Sequence, residues 1–145
     1  MGFPVINTMR IIDVPEDSEK RLLVTDLTEN GKNMVLSATT EDFCKDLELS
    51  NTQEINNELL DIYQKLNHNR VRLGRYDVPF LVVDKETKEG KIILGDLGNV
   101  RFKESEKFSQ ELIEELNLRE LQDFVGLINH KFLVNGELEI NLDTV

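Results

Sequence analysis

The residue types that carry covalent, metal or redox chemistry are scarce in this chain: its 145 residues include one Cys, two His and no Trp. Cys44 with His68 or His130 would form a nucleophile and base only if the fold brought them together. Cys44 follows Phe43 in a segment with helical spacing, where a cysteine serves as a small buried hydrophobe. Two His fall short of a metal site unless carboxylates complete it. Asp84 to Gly90 spaces acids by two, as a calcium loop does. However, Lys88 and Glu89 stand where that loop needs an oxygen ligand and a glycine. Acid–base work by paired carboxylates is open to any sequence this acidic, but 28 acids single out no pair. The expectation is no catalytic residue, no metal and no cofactor.

The local anomaly is Arg70, Arg72, Arg75 and Tyr76, a run with three cations and no acid in a chain of net charge −11. Guanidinium forks bind carboxylates or phosphates bidentately, and Tyr is a favoured interface anchor. In an extended segment Arg70 and Arg72 share one face while Val71 and Leu73 take the other. Two readings stand side by side: these Arg pair with the chain's own surplus carboxylates, or they form a partner- or anion-binding site.

The opposite charge gathers on two amphipathic stretches. Glu54, Glu58 and Asp61 lie on one, and Glu111, Glu114, Glu115 and Glu120 on the other. Such runs form solvated helix faces, or an acidic face that meets a basic partner. An acidic surface repels phosphate backbones and anionic membranes. Direct nucleic-acid binding is therefore disfavoured.

Gly95-Asp96-Leu97-Gly98, after the apolar run Ile92–Leu94, resembles the metal-holding turn of protein kinases. The sequence has neither the glycine-rich loop nor the His-Arg-Asp loop of that family. The four residues read as a tight turn.

The elements that must position these groups follow from periodicity. Met9–Val14 reads as a strand. Arg21–Thr28 and Lys32–Thr39 flank Asn30-Gly31, a hairpin signal. A short helix is predicted from Thr39 or Thr40 to Leu47. Ser50-Asn51-Thr52-Gln53 fits a capping box ahead of Ile55, Leu59, Ile62, Tyr63 and Leu66. Phe80–Asp84 and Lys91–Leu94 form a second hairpin, with Val100–Phe102 a short strand after it. Ser105 caps a helix through Leu116, and Asn117 caps another carrying Leu121, Phe124, Val125 and Ile128. Phe132–Val134 and Leu138–Leu142, joined by Asn135-Gly136, complete a terminal hairpin.

Strands in adjacent pairs with helices between them predict an α+β fold: one domain over residues 1–145, an antiparallel sheet built from hairpins, and about four helices packed on one face. The first residues lack a basic n-region and an apolar h-region, and no apolar run approaches a membrane span. With a single Cys, this predicts a soluble cytoplasmic protein. The weight of Asn, Lys, Glu and Ile fits an AT-rich coding genome, bacterial or carried on a mobile element. The function expected is a non-enzymatic protein-interaction module (regulator, adaptor or inhibitor) whose acidic surface meets another protein with a basic surface. The alternatives are a small domain or enzyme for an anionic metabolite, using the Arg cluster, and an assembly subunit whose terminal hairpin adds to a neighbour's sheet.

Overall fold

The computed structural model describes residues 10–14, 17–24, 28–39, 45–95 and 108–142. Among these described residues five strands and two helices follow the order β1 (Arg10–Val14), β2 (Asp17–Val24), β3 (Asn33–Ser37), α1 (Thr52–His68), β4 (Pro79–Asp84), β5 (Gly90–Leu94) and α2 (Gln110–Lys131). The class is α+β. β1 and β2 form a two-stranded antiparallel ribbon, and β3-β4-β5 form a separate antiparallel sheet.

The sheet is organised by β4. Leu81, Val82 and Val83 are all buried, so both faces of this strand are covered, and a neighbour pairs with each of its edges. β5 supplies one by a hairpin, pairing Phe80 with Ile93 and Val82 with Lys91. β3 supplies the other, pairing Met34 with Val83 and Leu36 with Leu81. This differs from the predicted pairing of Arg21–Thr28 with Lys32–Thr39. β2 pairs with β1, from Arg10↔Val24 to Asp13↔Arg21. The Asn30-Gly31 turn does form, with Glu29, Asn30 and Gly31 all at positive φ and Asn33 N–H donating to Thr28 O at 2.9 Å. Three consecutive left-handed residues make a wider loop than the two-residue turn that joins hairpin strands in register.

Two helices, not about four, stand among the described residues. The predicted helices 105–116 and 118–128 are one continuous α2. Ile113, Asn117, Leu121, Phe124 and Ile128 form one buried stripe along it, so Asn117 belongs to the inner face instead of capping a helix. Ser109 caps α2, accepting from Leu112 N–H at 3.1 Å. Residues 40–44, which include Cys44 and most of the predicted short helix, lie outside the described residues. So do Asp96 to Gly98, Val100–Phe102 and Ser105. Lys45 and Asp46 form a turn and Leu47 bridges to Leu133.

The predicted terminal hairpin does not form: Leu133 bridges to Leu47, and after a bend at 134–135 residues 136–141 run on as a strap. Residues 137–139 of this strap bond to helix side chains, and the arm before it bonds to Leu47, so the two predicted arms need no ladder with each other. One core joins sheet, helices and strap: Ile55, Leu59, Ile62 and Leu66 of α1, Leu81 and Val83 of β4, Leu121, Phe124 and Ile128 of α2, and Leu138. Close approach of α1 to β5 depends on Gly90, where a Cβ would lie 2.8 Å from Ile55 Cδ1 and 3.1 Å from Leu81 Cδ1.

Candidate functional site

The arginine segment begins where α1 stops. Arg70 sits in the left-handed region at φ +54°. Its N–H donates to Asn67 O, and Val71 N–H to Leu66 O. This bond pair is the Schellman helix end, whose left-handed position is usually glycine. Here the arginine's side chain finds partners that compensate. Arg70 Nη2 donates to Phe108 O at 2.8 Å and Nη1 to Gln110 Oε1 at 3.2 Å. Gln110 Nε2 returns a bond to Asn67 O at 2.7 Å. The guanidinium thus ties the end of α1 to the start of α2.

The next residues run along α2. Asn117, fully buried, accepts from Leu73 N–H at 2.9 Å and donates to Val71 O and Asn67 Oδ1 at 2.9 and 3.0 Å. Glu120 accepts from Gly74 N–H at 2.8 Å and stands 3.9 Å from Arg72, whose guanidinium lies 5.2 Å over the Phe108 ring. Arg75 pairs with Asp77 at 3.2 Å and is half-exposed, and Tyr76 packs against the core edge. Burial pushes the Glu120 carboxyl above its ordinary range, against the opposing pull of Gly74 N–H and Arg72.

The acidic residues divide by orientation. Glu54, Asp61, Glu111 and Glu115 are exposed and Glu114 is half-buried. Asp61 pairs with Lys65 at 2.9 Å and Glu115 with Arg119 at 3.4 Å. Glu58 and Glu120 turn inward onto backbone N–H groups and leave the outer faces. Glu58 accepts from Ile92 N–H at 3.1 Å, and burial raises its pKa above the usual carboxylate value.

Glu54 and Glu58 also line a cleft of ≈ 320 Å³ where the 28–32 turn, the start of α1 and the β4–β5 hairpin meet. Its floor is tied by Asn51, which accepts from Gly90 N–H at 2.7 Å and donates to Gly90 O at 2.9 Å. Asn51 and Glu58 between them cover the outer edge of β5, which would otherwise be open to strand pairing. Asp84 accepts from the N–H groups of Glu86 and Thr87 at 2.8 and 3.0 Å, and those bonds lower its pKa. Glu29, Glu54, Glu58, Asp84 and Glu89 outnumber Lys32 and Lys91 around this cleft.

No protein family, curated protein or solved structure matches the chain. The site is therefore read from its own geometry. Among the described residues, no group of three or more His, Cys, Asp or Glu is placed to hold a metal ion, and no helix is long and apolar enough to cross a membrane.

Sequence reasoning missed four asparagines. Asn51, Asn56, Asn117 and Asn129 each use both ends of the amide on backbone groups of another segment. The available signal was position: Asn117 occupies a core place in an apolar stripe, and Asn56 and Asn129 each follow a buried isoleucine.

Proposed function

We propose that this protein is a non-enzymatic, cytoplasmic interaction module that binds a protein with a basic surface through its acidic outer side. The observation that carries this reading is the cleft at the start of α1, where carboxylates from three separate segments meet. Glu54, Glu29 and Glu89 are exposed at its mouth. The exposed Glu111 and Glu115, with half-buried Glu114, extend the negative field along α2. A cleft lined by one sign of charge raises the local concentration of an oppositely charged partner and speeds association. The inward bonds of Arg70 and Arg72 give less support to the anion-binding alternative, since both guanidinia are engaged within the chain.

The test is capture from lysate of the native host at about 50 and about 300 mM salt, where the Debye length falls from somewhat above to well below ~10 Å. One stoichiometric protein is expected, lost at the higher salt and lost also with Glu54→Lys/Glu89→Lys. Capture of the same protein by the charge-reversed variant at low salt would overturn the reading.

A further inference from the structure

The strap after α2 is held in an unusual way. Over residues 137–139 both edges of its backbone are bonded, and each of these four bonds goes to an asparagine side chain. On one edge, Leu138 N–H donates to Asn129 Oδ1 at 3.1 Å and Asn129 Nδ2 donates to Leu138 O at 2.9 Å. On the other, Glu139 N–H donates to Asn56 Oδ1 at 2.9 Å and Asn56 Nδ2 donates to Glu137 O at 3.4 Å. Asn56 belongs to α1 and Asn129 to α2, so the strap lies in the groove between the helices. Leu138 points into the core, 3% exposed, and Glu137 and Glu139 face solvent.

This groove reads an extended segment by its main chain. Four amide bonds recognise N–H and C=O groups common to every residue, and one apolar pocket selects a side chain. The segment occupying it follows a bend: Val134 is exposed with its N–H on Leu47 O at 3.0 Å, and beyond it Gly136 takes φ +57°. The two flanking side chains are the wrong sign for their setting. Both are glutamates in a chain of net charge −11, and Glu48 lines the adjoining depression of ≈ 130 Å³ beside Glu137. Among the described residues neither Glu137 nor Glu139 has an ion-pair partner. A lysine at either place would forfeit no ion pair and would oppose the net negative charge of the chain.

We propose that the α1–α2 groove at Asn56 and Asn129 is a docking site for an extended segment of a partner protein, an aliphatic residue between two basic ones. The strap is its internal occupant, displaced when that segment binds. The inference rests on the interaction reading above and names the feature of the basic partner that is recognised.

The experiment uses the full chain and a fluorescent peptide copying residues 134–141 with Lys at both Glu positions. Leu138→Ser weakens the strap while leaving the groove's own side chains, Asn56 and Asn129, in place. That variant is expected to bind the peptide at least tenfold more tightly than the unmodified chain. Adding Asn129→Ala is expected to reverse the gain, and a peptide with Asp in place of Leu is expected not to bind. A folded Leu138→Ser chain that binds no better than the unmodified one, or a gain indifferent to Asn129→Ala, overturns the proposal. Hydrogen exchange on the unmodified chain gives a second reading should Leu138→Ser fail to fold. The amides of Leu138 and Glu139 must exchange at least tenfold faster than those of Ile62 and Phe124. Equal protection would mean that the strap opens only with global unfolding, and would overturn displacement. The peptide assay needs no natural partner, and the lysate capture turns on Glu54 and Glu89 elsewhere, so the two readings fail separately.

Discussion

Asn117 shows how much one polar side chain can hold in place. Its amide satisfies Leu73 N–H, Val71 O and Asn67 Oδ1 in a site with no solvent access. Asn117→Ala leaves buried groups unsatisfied and a cavity beside them, a loss of about 3 kcal/mol. Urea unfolding followed by circular dichroism measures it, and a loss under ~1 kcal/mol would mean that the segment finds other partners. The two inward carboxylates give a pH signature. Burial raises both Glu58 and Glu120 above 4.5. Each therefore contributes stability below pH 4.5 that is lost as pH rises through its folded-state value. Glu58→Gln/Glu120→Gln keeps an oxygen for Ile92 N–H and Gly74 N–H but carries no charge. Its melting temperature relative to the unmodified chain is expected to rise between pH 4 and pH 7.5, and a flat difference would count against buried carboxylates here. Asp84 runs the other way, since its lowered pKa adds stability that is lost as pH falls through the folded value. The sequence makes the arginines conspicuous because their charge stands out against an acidic background. It hides the asparagines because an amide carries no charge and its partners are backbone groups that only the fold brings near.

At the scale of elements, the end of α1 is a contest between backbone strain and side-chain bonding. Arg70 occupies a left-handed position that costs a residue with a Cβ roughly 1–2 kcal/mol, and its guanidinium offsets this by bonding Phe108 O and Gln110. Arg70→Gly relieves the strain and loses the bonds, whereas Arg70→Ala loses the bonds and keeps the strain. The expected stability order is Arg, then Gly, then Ala, with glycine about 1 kcal/mol above alanine. Thermal melts of the three chains test it. Alanine equal to glycine would mean that the left-handed backbone is not held there. Gly90→Ala tests the contact between α1 and β5. The new methyl group meets the buried tips of Ile55 and Leu81, and a loss of about 1–2 kcal/mol is expected from overpacking. The β4–β5 hairpin and α1 are legible in the sequence, because apolar runs and helical spacing there coincide with polar turns. The partners of β2 and β3 are not: β3 pairs with β4, which lies more than 40 residues beyond it and buries both faces, and β2 pairs with β1 instead. The break predicted at Asn117 arises from reading a polar residue as solvent-facing, and the terminal hairpin from an alternation that one buried leucine and two asparagines satisfy without a second strand.

For the whole molecule, the net charge of −11 acts on stability and on binding with opposite sign. The exposed carboxylates of both helices and of the cleft repel one another in the free protein, and this self-repulsion weakens the compact state. Raising salt from about 20 to about 300 mM shortens the screening length from well above to well below ~10 Å and so weakens this repulsion. The free chain is therefore expected to melt at a higher temperature at the higher salt, by a few degrees. A complex held by the same carboxylates against a basic surface must respond in the other direction, with association slowing as the steering field is screened. The paired measurement is a melting curve of the free chain and an association rate with the captured partner, each across one salt series. A melting temperature that rises while the association rate falls ties both effects to one charge distribution. An association rate indifferent to salt would place the contact at an apolar surface and detach the acidic side from function. Glu54→Lys/Glu89→Lys links the two effects, because it brings the net charge of −11 closer to zero without touching the core. It should raise the melting temperature at low salt and reduce the salt dependence of both measurements together.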